Sequence, residues 1–498
     1  MNNEPFEMED SFSSVLDALK AKNVGFFAPC SGKGFCKACE VWITTHDNPT
    51  PHPALACQTK PTPDMTIYLI KPASIDAQTS GIACPYLPDK ENKEGYGSIF
   101  DIGTTTLVCK IFDMRTGQCK GIASCNNPQT VYGFDVITRI EAYKSGYKNE
   151  LIDSLRLALA QLSKDAKKDA GLDANQAIRS TVLVGNTVMM HFVAGIDPTS
   201  IAEAPYKPLS NFGYELDGLN ALLQTEHVYA PICVSGYVGA DIIADMVAVK
   251  LNERTKPILL LDLGTNGEMV LGDKNGIYTC ASAAGPVFEA ANIACGMPAV
   301  PGAISHMRLD KQNKLSFDVI GKTEATGICG SGLIDAIALC LQTGIIDKRG
   351  RIGKPDNTAF GIKIEEENGM RLIRFSKNVY LTQEDIRQTQ LGKGAIAAGI
   401  TRLLQTSSID INDIECVLLA GGFGQSIEPA SAQSLGLIPS KLNGKCFAIG
   451  NAALSGAQAL LLNNEARKQE RAIAALCNYL ELSSDEGFAD AYLGNLNF

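Results

Sequence analysis

The chain of 498 residues carries a net charge of -10, with 45% apolar and 20% charged side chains. Such a length exceeds one ordinary hydrophobic core and predicts two or three domains, while the ordinary composition excludes a disordered or fibrous protein. The acidic balance, with no basic face to neutralise phosphates, excludes general nucleic-acid binding, and no apolar run approaches the ~18 residues of a membrane-spanning helix.

The opening stretch MNNEPFEMED is acidic and has no apolar core segment, so a cytoplasmic protein is expected. Sixteen cysteines in such a chain do not read as a disulfide framework, which is a device of small secreted domains. Four of them lie between Cys30 and Cys57. Cys109, Cys233, Cys340 and Cys477 stand singly in apolar stretches and read as inert core thiols.

Residues 11–22, FSSVLDALKAKN, predict a short amphipathic helix, followed by a glycine-rich cysteine loop and an alternating strand over Glu40–Thr45. These make an N-terminal module of residues 1–71. Residues 72–97 hold Pro72, Pro85, Pro88, Gly95 and Gly97 without periodicity and read as a linker. Beyond it, strands alternate with helical segments, which predicts an α/β body with helices packed on sheets.

The body repeats itself weakly. SIFDIGTTTLVCKIFD at 98–113 is echoed by LLLDLGTNGEMVLGD at 259–273, and STVLVGNTVMMHF at 180–192 by CVLLAGGFGQSI at 416–427. A duplicated pair of lobes follows, lobe I over 98–256 and lobe II over 257–462. The polar stretch 463–498 reads as a helical tail without identifiable chemistry.

Two constellations carry chemistry. The first is Cys30-x5-Cys36-x2-Cys39 with a distant Cys57, one residue longer in its first gap than the plant-type two-iron pattern. Gly32 and Gly34 would let the backbone wrap a [2Fe-2S] cluster. Tetrahedral zinc is the other reading of four cysteines, although zinc ribbons usually present two Cys-x2-Cys pairs. His46 and His52 lie inside the module and read as solvated loop residues. Trp42 is expected to pack against the cysteine loop.

The second constellation is the repeated Asp-x-Gly-Thr turn. An aspartate at a strand end can orient Mg2+, and the turn behind it offers N–H and hydroxyl groups to phosphate. Asp101, Gly103, Thr104, Thr105 and Thr106 form one copy, and Asp262, Gly264, Thr265, Asn266 and Gly267 the other. Together they could clamp one triphosphate, with Gly421 and Gly422 letting a nucleoside lie against backbone. Competing motifs fail: Gly321-Lys322-Thr323 has Ser316 where a Walker loop needs glycine, and Gly392-Lys393-Gly394 lies in a helical pattern.

Asp241, in GYVGAD, is read either as a residue that holds magnesium or positions water, or as a helix cap. Asp135 is read as structural, with an ion pair to Arg139 or a hinge role as alternatives. Asn186 and Thr187 fall in a turn that the duplication places at the cleft. Cys295 and Cys329 flank glycines but have no partner cysteine and read as core or loop thiols.

Residues 24–70 resemble a truncated plant-type ferredoxin domain that lacks most of the opening β-hairpin. The body resembles the actin, sugar-kinase and Hsp70 ATPase superfamily, with Asp101–Thr106 and Asp262–Glu268 as its phosphate motifs and Ala420–Gly424 as its adenosine motif. More closely, NNPQTVYGFDVITRI, VLVGNTVMMHFVAGIDP, GYVGADIIADM, GPVFEAANIACGMPAVPGAI, GICGSGLIDAI and LTQEDI resemble the reductive activators of corrinoid proteins. Pro298 departs from that pattern, where arginine is expected, and the linker is short. The resemblance implies a ferredoxin-like module fused to a two-lobed actin-like ATPase that uses ATP and Mg2+. It also implies one-electron delivery from an external low-potential donor to a Co(II) corrinoid protein, and a homodimer. A small-molecule kinase with a regulatory cluster, or a chaperone-like assembly ATPase, is the alternative.

Overall fold

The protein is described from a computed structural model covering residues 12–21, 39–68, 79, 81–91, 94–264, 266–355, 360–367 and 369–498. In the N-terminal module, α1 (Val15–Ala21) accompanies a three-stranded antiparallel sheet of β1 (Glu40–Thr44), β2 (His52–Leu55) and β3 (Thr66–Tyr68), with β1 central. Ser14 caps the helix by accepting from the Asp17 amide at 3.1 Å, and the Val15 and Leu16 amides donate to Thr59 and Ala56. Alternation along β1 buries Val41 and Ile43 and turns Trp42 to the opposite face, 40% exposed. The cysteine loop against which Trp42 is expected to pack lies outside the described residues.

Lobe I is a six-stranded sheet in the order β6-β5-β4-β7-β9-β8. Here β4 (Tyr96–Ile102), β5 (Thr106–Asp113) and β6 (Cys119–Asn126) form an antiparallel meander. Beside them, β7 (Ile178–Gly185) and β9 (Thr225–Ala230) continue in parallel, and β8 (Tyr214–Glu215) closes the edge antiparallel. Helices α2 (Val136–Lys144), α3 (Lys148–Asp169), α4 (Thr187–Ala194), α5 (Asn220–Leu223) and α6 (Ala240–Ala248) belong to this lobe. Ile99, Phe100 and Ile102 are fully buried, as expected of a central strand covered on both faces.

Lobe II repeats the plan. Its meander is β10 (Ile258–Leu263), β11 (Gly267–Asp273) and β12 (Gly276–Ser282), and β19 (Val417–Ala420) and β20 (Cys446–Gly450) run parallel beside β10. Two small sheets interrupt it, β13–β15 (Ala303–Leu309, Leu315–Val319, Gly327–Ile328) and β16–β18 (Lys363–Glu367, Met370–Arg374, Tyr380–Thr382). Its helices are α7 (Gly330–Gln342), α8 (Gln383–Ser407), α9 (Gly421–Ser426) and α10 (Pro429–Ser434). The duplication seen in the sequence is thus a repeated strand order, with β7–α4 and β19–α9 as equivalent units.

Gly321 and Lys322 form a 3-10 turn after β14 rather than a loop opening a helix, and Gly392–Gly394 lie inside α8, so neither is a phosphate loop.

The chain then returns to lobe I. Helix α11 (Ala452–Leu462) packs on α6, β4 and β7, and α12 (Asn464–Leu476) packs on α6. Buried Glu470 of α12 accepts from the Tyr229 hydroxyl at 2.8 Å and the Ile232 amide at 2.7 Å. The stretch 463–498 is not merely a helical tail: β21 (Cys477–Tyr479) joins β12 in the lobe II sheet, and α13 (Phe488–Gly494) packs on α8. Nor is all of 72–97 a free linker. Strand β4 begins at Tyr96, and Ile82 and Asp89 are hydrogen-bonded to Ile449 and Leu462.

The close approach of α11 to α6 depends on Gly456, where an added Cβ would stand 1.9 Å from the Ala244 carbonyl oxygen. Gly456→Ala should therefore force the helices apart and destabilise the protein by about 1–3 kcal/mol, read as a lowered Tm. An unchanged Tm would mean that this contact yields freely.

Candidate functional site

Both Asp-x-Gly-Thr turns leave the same end of equivalent strands. Asp101 is the penultimate residue of β4 and lies opposite Val108 and Val184. Asp262 is the penultimate residue of β10 and lies opposite Glu268 and Ala420. Asp101, Asp241 and Asp262 are partly accessible, whereas Asp245 is fully buried and Glu268 is 8% exposed. Three carboxyls are thus partly open to solvent, with two more buried close to them.

Crowding of carboxyls away from water raises their proton affinity. Burial pushes Asp101 up to about 6, opposed by a 2.6 Å hydrogen bond from the Asn451 side-chain amide and reinforced by the charge of Asp262. Burial, then the charges of Asp262 and Asp101, push Asp241 up to about 8. Asp245 is held well above the usual carboxylate range by burial and by the neighbouring Asp262, and both of its carboxyl oxygens are buried without a hydrogen-bond partner. Burial raises Glu268 well above its ordinary value too, with Asp241 and Asp262 adding to the effect.

The sequence reading included Asp241 but not Asp245. The spacing Asp-x3-Asp places both on one face of α6, a signal that was available. Asp241 lies in the first turn of α6, where its Oδ1 accepts from the Ile242 amide at 2.9 Å, but it is not the N-cap, a position taken by Gly239.

The first phosphate turn is gripped from behind through three successive carbonyls. The Gly103 carbonyl accepts from the Asn127 side chain at 2.9 Å, that of Thr104 from the Arg139 guanidinium, and that of Thr105 from the Asn127 amide at 2.8 Å. The Thr105 hydroxyl is buried without a partner. Gly103 is required, since a Cβ there would meet the Thr106 carbonyl oxygen at 2.5 Å. Arg139 is fully buried and also donates to Gly133 and Gln129, and burial pulls it down to about 9. Asp135 acts as the N-cap of α2, accepting from Thr138 at 2.8 Å, in keeping with its structural reading.

In the second turn, the Gly264 amide donates to the Asn266 carbonyl at 3.0 Å, and Gly267 is pressed against Ile396 of α8. Thr265 lies outside the described residues. Gly421 has φ 78°, and a Cβ there would stand 2.4 Å from Asp262 Oδ1, so this turn accepts only glycine. Gly264 and Gly422 face open space. Next to this turn, Phe423 stacks on Phe288 with ring centroids 5.0 Å apart. Asn186 caps α4 through Oδ1, and its buried Nδ2 has no partner. Thr187 is engaged with the Ser235 carbonyl at 2.6 Å.

In the N-terminal module, Cys39 and Cys57 bring their sulfurs to 3.2 Å from opposite sides of the β1–β2 hairpin. Two thiols converging from positions 18 residues apart suit the wall of a cluster site. Cys30 and Cys36 lie outside the described residues. Cys295 and Cys329 donate to the Asn378 and Ile304 carbonyls, as structural thiols do. Among the described residues no group of three His, Cys, Asp or Glu side chains is arranged to hold a metal directly, and no helix is long and apolar enough to cross a membrane.

Comparison with known proteins matches residues 2–62 to a 2Fe-2S iron-sulfur cluster binding domain, 96–254 to the RACo middle region, and 256–498 to the C-terminal ASKHA domain of RACo. The chain is 32% identical over 435 residues to the corrinoid activation enzyme RamQ of Eubacterium limosum, covering 83% of this chain and 72% of that protein. It is 24% identical over 444 residues to the [Co(II) methylated amine-specific corrinoid protein] reductase of Methanosarcina barkeri, covering 81% of this chain and 77% of that one. A solved structure titled reductive activator for corrinoid, iron-sulfur protein superposes with a TM-score of 0.70 and 25% identity, covering 99% of this chain and 96% of that one.

Proposed function

Because the chain belongs to the family of reductive activators of corrinoid proteins, we propose that it couples ATP hydrolysis to the one-electron reduction of a Co(II) corrinoid protein to Co(I), returning it to methyl transfer. The observation that carries this reading is the meeting of two equivalent phosphate turns, one from each lobe, on a single set of buried carboxyls.

In this reading ATP lies between the lobes, its phosphates against the turns at 103–106 and 264–267 and its nucleoside against Gly421 and Gly422. Mg2+ fits as an ion held through waters, since magnesium keeps several waters and takes few protein ligands beside substrate phosphates. Asp101 and Asp262 would hold it, and it would neutralise phosphate charge. Asp241, with a proton affinity near neutrality, is suited to orient the attacking water and accept its proton. The Arg139 and Asn127 contacts keep the first turn rigid while phosphate charge changes.

Cys30, Cys36, Cys39 and Cys57 would hold a two-iron cluster, which would supply the one-electron carrier. Plant-type clusters sit near roughly -400 mV, and each ~59 mV by which a corrinoid acceptor lay below the cluster would cost a factor of ten in the one-electron equilibrium. Lobe closure around ATP would favour a corrinoid-protein complex in which Co(I) is stabilised, and hydrolysis would release it, a coupling set by the partner's differential affinity for the two states. An external low-potential donor, a homodimer and a cytoplasmic site of action belong to the same proposal.

A small-molecule kinase of the same fold would transfer the phosphoryl group to an acceptor. We expect instead that all phosphate from ATP appears as free phosphate, and faster when the Co(II) corrinoid protein is added. Phosphoryl transfer to an added small molecule, with no response to the corrinoid protein, would favour the kinase.

A further inference from the structure

Between β3 and β4 the chain has one covalent path from the iron–sulfur module to the ATPase body, and residues 81–91 of that path are clamped along α11. At the start of the helix, Gly81 forms an antiparallel bridge with Gly450. There the Ile82 amide donates to the Ile449 carbonyl at 3.0 Å, and the Ser455 hydroxyl donates to the Ile82 carbonyl at 2.6 Å. At the helix's end, the Asp89 amide donates to the Leu462 carbonyl at 3.0 Å. The Asp89 carboxylate accepts from the Asn464 amide at 2.8 Å and the Asn463 side chain at 3.1 Å. Between these ends, the Lys250 ammonium lies 4.7 Å above the Tyr86 ring.

The residue under the first clamp is part of the nucleotide site. Asn451, the N-cap of α11, receives the Leu454 amide on Oδ1 at 2.9 Å and donates from Nδ2 to Asp101 at 2.6 Å. Gly81 lies directly on its backbone, where a Cβ would stand 2.3 Å from the Asn451 carbonyl oxygen. Asp101, Asn451 and Gly81 are thus in direct succession, the first two joined by a hydrogen bond and the last two by close backbone packing.

We propose that Gly81–Asp89 is a strap that transmits the state of the nucleotide site, through Asn451, to the iron–sulfur module, so that ATP sets the module's position and the module in turn acts on Asp101. The proposal rests on the ATP-site reading above. Its chemistry is a two-state coupling, in which nucleotide and module each bias one mechanical element, and the coupling is therefore reciprocal.

The test is hydrogen–deuterium exchange of the full-length protein with and without a non-hydrolysable ATP analogue, with analogue binding measured by calorimetry on the same sample. Bound analogue should slow exchange in peptides spanning 81–91 by about tenfold. Ser455→Ala, which frees the Ile82 carbonyl and leaves the carboxyl cluster intact, should keep ATP turnover within about twofold and lose that slowing. Gly81→Val should lower kcat for ATP by about tenfold with little change in KM, because it displaces Asn451 from Asp101 without touching bound nucleotide. Binding with unchanged exchange at 81–91 would overturn the strap while leaving the ATP site standing, as would a Ser455→Ala protein that responds like the parent. Absence of binding would overturn the ATP-site reading and the strap with it. If Gly81→Val does not fold, the Ser455→Ala comparison decides.

Discussion

Asp241→Asn should slow ATP hydrolysis by about 100-fold or more, and should raise the Tm of the nucleotide-free protein at pH 8. The first effect follows from the position of Asp241, partly accessible in the first turn of α6 and close enough to Asp262 and Asp101 to feel their charges. The second follows from its burial beside Asp262 and Asp101, which pushes its carboxyl up to about 8. A carboxyl whose proton affinity is raised by folding contributes its full stability below its unfolded value, near pH 4, and loses it as pH rises through its folded value. Between about pH 4 and 8 the unfolded chain ionises this group while the native state holds it protonated, so stability falls by at most ~6 kcal/mol. The asparagine variant escapes it, so its advantage in Tm should be larger at pH 8 than at pH 5.5. Unaltered turnover with equal Tm at both values would reduce Asp241 to an ordinary helix-terminal residue.

Cys39→Ser or Cys36→Ser should abolish the two-iron EPR signal and reduce Co(I) formation by at least about 100-fold, while ATP hydrolysis in the absence of partner continues. Cys39 is 1% exposed and stands 3.2 Å from the Cys57 sulfur, so a serine there removes one of two sulfurs that converge on a single part-buried point. Iron and zinc should be quantified together with an anaerobic redox titration. Two irons per chain with a reducible signal is the expected result. Stoichiometric zinc with no redox signal would make the module a structural knot.

Features written within a few adjacent residues were legible in the sequence. The strand ending in Asp101 or Asp262, its Gly-Thr turn and the returning strand are contiguous, and comparing two copies raised a weak motif to a fold assignment. The second echo did the same for β7–α4 and β19–α9, whose parallel pairing with β4 and β10 completes each lobe. What escaped was made by distant chain segments. Asn451 meets Asp101 across 350 positions, and Arg139 reaches the Thr104 carbonyl across 35. Neither residue lies in a motif that points to phosphate. The three residues of β21 form a strand only because β12 offers an open edge. Residues 81–91 lack periodicity because backbone groups and capping side chains, rather than an apolar face, fix them to α11.

Asp245 was hidden for a different reason. It sits in an apolar helix face where a fully buried carboxyl would ordinarily be excluded, and burial beside Asp262 raises its proton affinity well above the usual carboxylate range.

The central claim is that ATP drives the electron to cobalt, and it is tested most directly by following a Co(II) corrinoid protein anaerobically, by visible absorption and EPR, with this protein and a low-potential donor. With ATP present, the Co(II) EPR signal should disappear as the Co(I) absorption band rises over many turnovers; without ATP Co(II) should persist, and the non-hydrolysable analogue should permit at most one Co(I) per activator. Equal formation of Co(I) with and without ATP would contradict the account.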